Sequence, residues 1–316
     1  MNLNKYKLLS GDASFRKFYR TSNNSIIVFC KKNKYSNLIV YDAINRCLNK
    51  NKINAPKLKR EFYKKNYIEI EDLGDNSFFK ILKKNKNKEK VYFNILKILK
   101  KMQDIKSKSL TTFKKKKYKL PIYSKNKLIK ESKIFIDWYL PKVLKKNKIN
   151  KSKSELNRIF INLSNKLKLD NKVFVHRDFH ISNMMYHKKK IYLIDSQDAV
   201  FGNLTYDLAS LIDDVRIKTS HNLKDKIFDS FINLNSSIDK NKAKNDFEIL
   251  SVLRNIKIIG IFTRLAIRDG KKKYMKMIPY AWQMIEHRIS KNSCFKDLEK
   301  TLNKYFSKKK RGRQWK

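Results

Sequence analysis

The sequence predicts an α+β fold in two lobes, a small N-terminal sheet lobe and a larger, mainly helical C-terminal lobe. Strand-like segments rich in aromatic and β-branched residues crowd the first ~75 positions, and helix-spaced apolar residues dominate afterwards. A length of 316 residues suits about two domains, each large enough to bury its own core. With 41% hydrophobic and 12% aromatic residues the chain is no disordered polyelectrolyte, despite a formal net charge of +48.

Ser14 to Arg20 and Ser25 to Cys30 flank the turn residues Asn23 and Asn24 and read as a hairpin. Leu38 to Leu48 carries apolar residues at helical spacing, and Ala55-Pro56 ends that segment. Tyr67-Ile68-Glu69-Ile70-Glu71 alternates with period two and runs into Asp72-Leu73-Gly74, which sets the expected boundary of a first domain at 1–74. In the expected second domain, 75–306, one helix shows Val91, Ile95, Ile98 and Met102 on a face, and another shows Leu156, Ile159, Phe160, Leu163 and Leu167. Between them Lys114 to Lys117 reads as a solvated loop. Val173 to Val175 and Ile191 to Ile194 read as short strands, and after Asp195 the chain reads as helical to its basic tail, 307–316.

The 76 basic residues against 28 acidic ones point on their face to a polyanionic partner. They are spread along the whole chain, however, and only Lys308 to Arg313 forms a compact cluster, so a lysine-rich solvated surface is the simpler reading and nucleic acid is not the expected partner. Cys30, Cys47 and Cys294 are too few and too scattered for a disulfide framework. No 18-residue apolar run occurs and the first residues lack the apolar core of a signal peptide, so no membrane span and a cytoplasmic location are expected.

The chemistry concentrates in His176-Arg177-Asp178-Phe179-His180-Ile181-Ser182-Asn183, followed by the strand-terminal Asp195. An Asp and an Asn five residues apart on a loop, with a second Asp at a strand end, is the set that positions an attacking hydroxyl and holds Mg²⁺ in phosphoryl transfer. Asp178 suits the hydroxyl. Asn183 and Asp195 suit the metal, because Mg²⁺ takes hard oxygen ligands and only one or two carboxylates. His176 and His180 stand four apart, but beside a strand and a loop rather than on a helix, so they read as loop-shaping residues and not as zinc ligands.

The block from Val173 to Asp214, with Gln197-Asp198-Ala199 and Thr205-Tyr206-Asp207-Leu208-Ala209-Ser210-Leu211, resembles the aminoglycoside phosphotransferase superfamily, whose fold is protein-kinase-like. Leu9 to Arg16, Ile70 to Gly74 and Gly260 to Leu265 with Arg268-Asp269-Gly270 extend the likeness towards the bacterial anomeric kinases of N-acetylmuramate and N-acetylglucosamine. The resemblance implies ATP and Mg²⁺ as cofactors, a small amino sugar as substrate and Asp178 as the catalytic carboxylate. It implies Asn183 and Asp195 as metal ligands, and His176 and Asp207 as supports of the loop. Asp207 equally fits an ordinary helix start. Gly11, Ala13 and Ser14 would lie over the phosphates, and Glu71 and Leu73 would present backbone groups to adenine.

Two departures from the kinase pattern stand out. Ser196-Gln197 follows Asp195 where protein kinases have Phe-Gly, so no movable activation segment is expected, and no Val-Ala-Ile-Lys strand exists, with Asp42 offered on the following helix instead of a Glu. Lys31 and Lys32 follow the strand and read equally as surface residues. For the sugar, the resemblance directs attention to Glu131, Trp138 and Arg264, with Asp137, Arg268 and Asp269 beside them; core packing and surface ion pairs account for the same residues. A small-molecule kinase acting on an aminoglycoside, choline or homoserine is the alternative enzyme, and a nucleic-acid-binding protein on a kinase-like scaffold is the alternative of another class.

Overall fold

A computed structural model describes residues 6–9, 16–31, 36–85 and 87–313. The chain divides into two compact units, Met1–Ile122 with Val173–Phe201, and Tyr123–Lys172 with Gly202–Lys316. The first unit thus takes in the segment around Asp178 and Asp195, which the expected division at residue 74 assigned to the helical part.

In the first unit, β1 (Lys7–Leu9), β2 (Lys17–Arg20), β3 (Ser25–Phe29), β4 (Leu58–Phe62) and β5 (Tyr67–Glu71) form one antiparallel sheet in the order β1-β2-β3-β5-β4. The period-two pattern explains its two faces. Ile26, Val28, Ile68 and Ile70 pack on one side against Leu38 and Tyr41 of α1 (Ser36–Lys50), while Tyr19, Ile27 and Tyr67 cluster on the other. Full burial of a side chain such as Val28 or Ile68 contributes about 1.5–3 kcal/mol. Glu69 sits among these apolar residues because Arg60 donates to it at 2.8 and 3.1 Å and the Ser25 hydroxyl donates to it as well. Asp42, buried on α1, pairs with Arg46 at 2.6 Å.

Next come α2 (Phe78–Lys84), α3 (Lys88–Gln103), capped by Asn87 on the Lys90 amide, and the hairpin β6 (Ser109–Thr111) and β7 (Lys117–Lys119). The expected lysine-rich loop is the turn of this hairpin, with Lys115 left-handed at φ 58° and Lys114 over the Tyr63 ring at 3.6 Å. In the returning segment β8 (Val173–Val175) pairs with β11 (Val200–Gly202), and β9 (Met184–His187) with β10 (Lys190–Leu193). The expectation of helix throughout after Asp195 fails at β11, where Val200 and Phe201 pair with a strand some 25 positions earlier in the chain, a non-local contact that periodicity does not register.

The second unit is helical: α4 (Lys125–Ile134), a π-helical turn (Phe135–Tyr139), α5 (Leu140–Val143), α6 (Lys146–Asn165), α7 (Tyr206–Ile212), α8 (His221–Asn233), α9 (Lys240–Arg268), α10 (Ile278–Ile289), α11 (Lys296–Tyr305) and α12 (Lys308–Arg311). Its core gathers Phe135, Tyr139, Trp282 and Phe306, with Trp282 Nε1 donating to the Tyr139 hydroxyl at 3.1 Å. Gly260 of α9 lies directly on the π turn: a Cβ there would stand 2.4 Å from the Phe135 nitrogen and 2.5 Å from the Ile134 carbonyl carbon. Asp213 is fully buried with Lys224 at 2.7 Å and Arg288 at 2.9 Å, and these cations hold its carboxyl far below the usual range although burial opposes them. The basic residues Lys308 to Arg311 form α12, anchored by Arg311 on Glu286 at 2.8 Å. Among the described residues no helix is long and apolar enough to cross a membrane.

Candidate active site

The segment from β8 to Asp195 is shaped by short-range hydrogen bonds. After β8 the chain turns at Arg177, whose φ of 74° is left-handed, and the His180 amide then donates to the Asp178 carbonyl at 2.9 Å. A 3₁₀ turn, Ile181–Asn183, follows. The Asn183 side-chain amide donates back to the Asp178 carbonyl at 3.0 Å, and the Ile194 amide donates to the Asn183 carbonyl at 3.0 Å. These bonds tie Asp178, Asn183 and the strand leading to Asp195 together. The donor half of the Asn183 amide is used on the loop, so its oxygen half is the end that could meet a cation.

Asp195 ends this strand in the left-handed region, φ 64° and ψ 35°, and the 3₁₀ turn Ser196–Asp198 follows it. Its side chain is 40% exposed, open on the pocket side and enclosed by protein on the others, and burial raises its pKa. Arg16 holds the carboxylate at 2.8 Å and Gln197 donates to the same oxygen at 3.2 Å. The negative charge of Asp178 raises the Asp195 pKa further, so the two carboxylates feel each other. His176 is buried, and burial lowers its pKa, which favours the neutral ring.

Asn183 and Asp195 line a cavity of about 430 Å³ with Phe18, Arg20, Ile26, Ile70 and the segment Glu71 to Asp75. Its walls are the α1-side face of the sheet and the 3₁₀ turn, all from the first unit. Leu73 is buried at its edge and Gly74 has φ 74°. Arg20 fixes this segment, with Nε 2.6 Å from Asp72 and Nη1 2.9 Å from Asp75. The Glu71 side chain is drawn towards His187 and Lys188, at 3.9 and 3.7 Å. Gly11, Ala13, Ser14 and Lys32 lie outside the described residues, and Lys31 is exposed.

The donor chemistry fits magnesium. One carboxylate open to a cavity and one amide oxygen, completed by phosphate and water, is the sparse oxygen set the ion prefers. Among the described residues no group of three or more His, Cys, Asp or Glu could enclose a metal by itself.

The remaining expected site residues belong to the second unit. Glu131 of α4 is 14% exposed and takes Lys257 at 2.7 Å and the Tyr123 hydroxyl at 2.6 Å. Trp138 is half-buried on the π turn. Arg264 of α9 is half-buried with its Nε lacking a hydrogen-bond partner, and burial lowers its pKa. Asp207 is fully buried in the first turn of α7. Sequence reasoning passed over Arg16 and Arg20, although the alternation Arg16, Phe18, Arg20 on one strand places them on a common face.

A small antiparallel sheet joined to an Asp-Asn loop and a strand-terminal Asp defines a kinase-like fold, and solved structures share it. An ADP-bound aminoglycoside phosphotransferase covers 90% of this chain and 95% of its own, at 16% identity and a TM-score of 0.59. A choline/ethanolamine kinase family protein from Mesorhizobium loti covers 94% and 92%, at 10% identity and 0.60. The chain belongs to the phosphotransferase enzyme family, matched over residues 5–235. Similar proteins include the N-acetylmuramate/N-acetylglucosamine kinase of Neisseria meningitidis serogroup B, 25% identical over 85% of this chain and 81% of that one. The protein of the same name from Pseudomonas putida is 24% identical over 89% and 83%.

Proposed function

We propose that the chain is an ATP-dependent sugar kinase that phosphorylates the anomeric hydroxyl of N-acetylmuramate, N-acetylglucosamine or both, for reuse of cell-wall sugars in the cytoplasm. The observation that supports phosphoryl transfer is the hydrogen-bonded loop that joins Asp178 and Asn183 to the strand before Asp195, with Asn183 and Asp195 lining the 430 Å³ cavity. The choice of acceptor rests on the relatives, four of which carry the same kinase name.

In this reading the adenine is received along Glu71 to Gly74, the segment at the end of β5, with Gly11, Ala13 and Ser14 over the phosphates. Asp178 orients the sugar hydroxyl and takes its proton as the phosphoryl group is transferred, a contribution of about 10²–10⁴-fold in rate. Asn183 and Asp195 are the residues that would hold Mg²⁺, which would neutralise charge on the transferring phosphoryl. His176 and Asp207 take the role of loop supports that the resemblance implies. Glu131, Trp138 and Arg264 are the acceptor-side residues, with Arg264 suited to an anionic substituent such as the lactyl carboxylate of muramate. The excess of basic over acidic residues favours an anionic or neutral acceptor over a polycationic aminoglycoside.

The test is ATP consumption by the purified protein with N-acetylmuramate, N-acetylglucosamine, choline, homoserine and an aminoglycoside, with the phosphate position in the product read by NMR. A sugar 1-phosphate is expected, and Asp178→Asn should lower kcat by about 10²–10⁴-fold. Turnover of another alcohol with no amino sugar consumed would overturn the acceptor assignment.

A further inference from the structure

The kinase pattern calls for a cation from the third strand to meet the nucleotide phosphates, yet β3 offers only Ser25 to Phe29, then the fully buried Cys30 and the exposed Lys31. Among the described residues a cation that meets Asp195 stands just before the neighbouring strand, β2. Arg16 is 5% exposed, and one end of its guanidinium meets Asp195 at 2.8 Å. The other end donates to Asn37 Oδ1 at 3.1 Å, and the group lies 5.6 Å from the Tyr41 ring centre and 6.0 Å from that of Phe18. Arg20, four residues on, is already engaged by Asp72 and Asp75.

We infer that Arg16 is the phosphate-binding cation of the nucleotide site. The inference rests on the kinase reading above and adds to it the residue that the strand lysine would otherwise supply. Asn37, Tyr41 and Phe18 hold the guanidinium from one side, so its position does not depend on Asp195 alone. Asp195, which the guanidinium meets, lines the cavity; were that carboxylate given over to a divalent ion, the donor now spent on it would be left to meet phosphate oxygens in the planar, two-pronged geometry that arginine offers and lysine does not.

The test compares equilibrium binding of ADP with Mg²⁺, and of adenosine, to the full chain by calorimetry, for the wild type, Arg16→Met and Arg16→Lys. Losing a charge-assisted contact should weaken ADP about ten- to hundredfold in Arg16→Met while adenosine affinity stays within about twofold, and Arg16→Lys should fall between. An unchanged ratio of ADP to adenosine affinity in a folded variant overturns the inference and leaves Arg16 as a clamp on Asp195. Should Arg16→Met fail to fold, the ratio for Arg16→Lys decides in the same way. A wild type that binds neither ligand defeats the kinase reading itself and the inference with it.

Discussion

Replacing Gly260 by alanine sets two opposite effects against each other. In the interior of a 29-residue helix, alanine is favoured over glycine by about 1 kcal/mol, so helix propensity alone predicts a more stable protein. The new methyl group, however, would stand 2.4 Å from the Phe135 nitrogen, 2.5 Å from the Ile134 carbon and 2.7 Å from the Ile134 oxygen. All three are backbone atoms of the α4-to-π junction and cannot rotate away, so α9 must move. Overpacking of this kind costs about 1–3 kcal/mol, and rigid neighbours put it at the upper end, about 3 kcal/mol. The difference is a net loss of about 2 kcal/mol, or roughly 4–8 °C in melting temperature for a domain of this size. Thermal and urea unfolding of Gly260→Ala are the assay, with Gly312→Ala as control, since its Cβ would meet nothing closer than 3.4 Å. A melting temperature for Gly260→Ala equal to or above that of the wild type would refute the close-contact argument.

Asp213→Asn leaves Lys224 and Arg288 buried with their shared charge removed, and denaturant unfolding should show a loss of about 3–5 kcal/mol. Because the folded pKa of Asp213 is depressed, its stabilisation is fully present above the unfolded value of about 3.9 and fades as the pH falls below it. The gap between wild type and variant should therefore be constant from neutral pH down to about 5 and narrow under stronger acid, as acid-unfolding curves would reveal. Asn183→Asp presents oxygens to the Asp178 carbonyl where an amide now donates at 3.0 Å, so kcat should drop by at least about tenfold even with saturating Mg²⁺; unaltered turnover would show that the bond does not position Asp178.

The fold class was legible because its signals are local. Tyr67 to Glu71 alternates and becomes β5 with those limits, and the apolar spacing from Leu38 to Leu48 becomes most of α1. What escaped depends on distant partners. β11 exists as the companion of β8, and the π turn at Phe135 meets its close neighbour in Gly260 far along the chain. The spacing of Asp178, Asn183 and Asp195 could be read directly, whereas the bond from the Asn183 amide to the Asp178 carbonyl could not. Arg16 was hidden by composition: among 76 basic residues, one more cation carries no signal until its burial and its contact with Asp195 are known. Glu131, singled out for a sugar, also holds Lys257 and the Tyr123 hydroxyl, partners that no local pattern registers.

The stitching inside the first unit has a consequence for how the enzyme would respond to change. Asn54 bonds to β10 through both its carbonyl, which accepts from Leu193 at 2.8 Å, and its side chain, which donates to Ile191 at 3.1 Å. The Ser196 hydroxyl donates to Asn45 of α1 at 2.6 Å. The sheet, the cavity and all three oxygen-bearing residues are thus one mechanical piece, while Glu131, Trp138 and Arg264 belong to the other unit. Under the proposed function, affinity for nucleotide and preference for acceptor become separately inherited traits: drift at Glu131, Trp138 and Arg264 can retune which alcohol is phosphorylated while the residues that line the nucleotide cavity stay as they are.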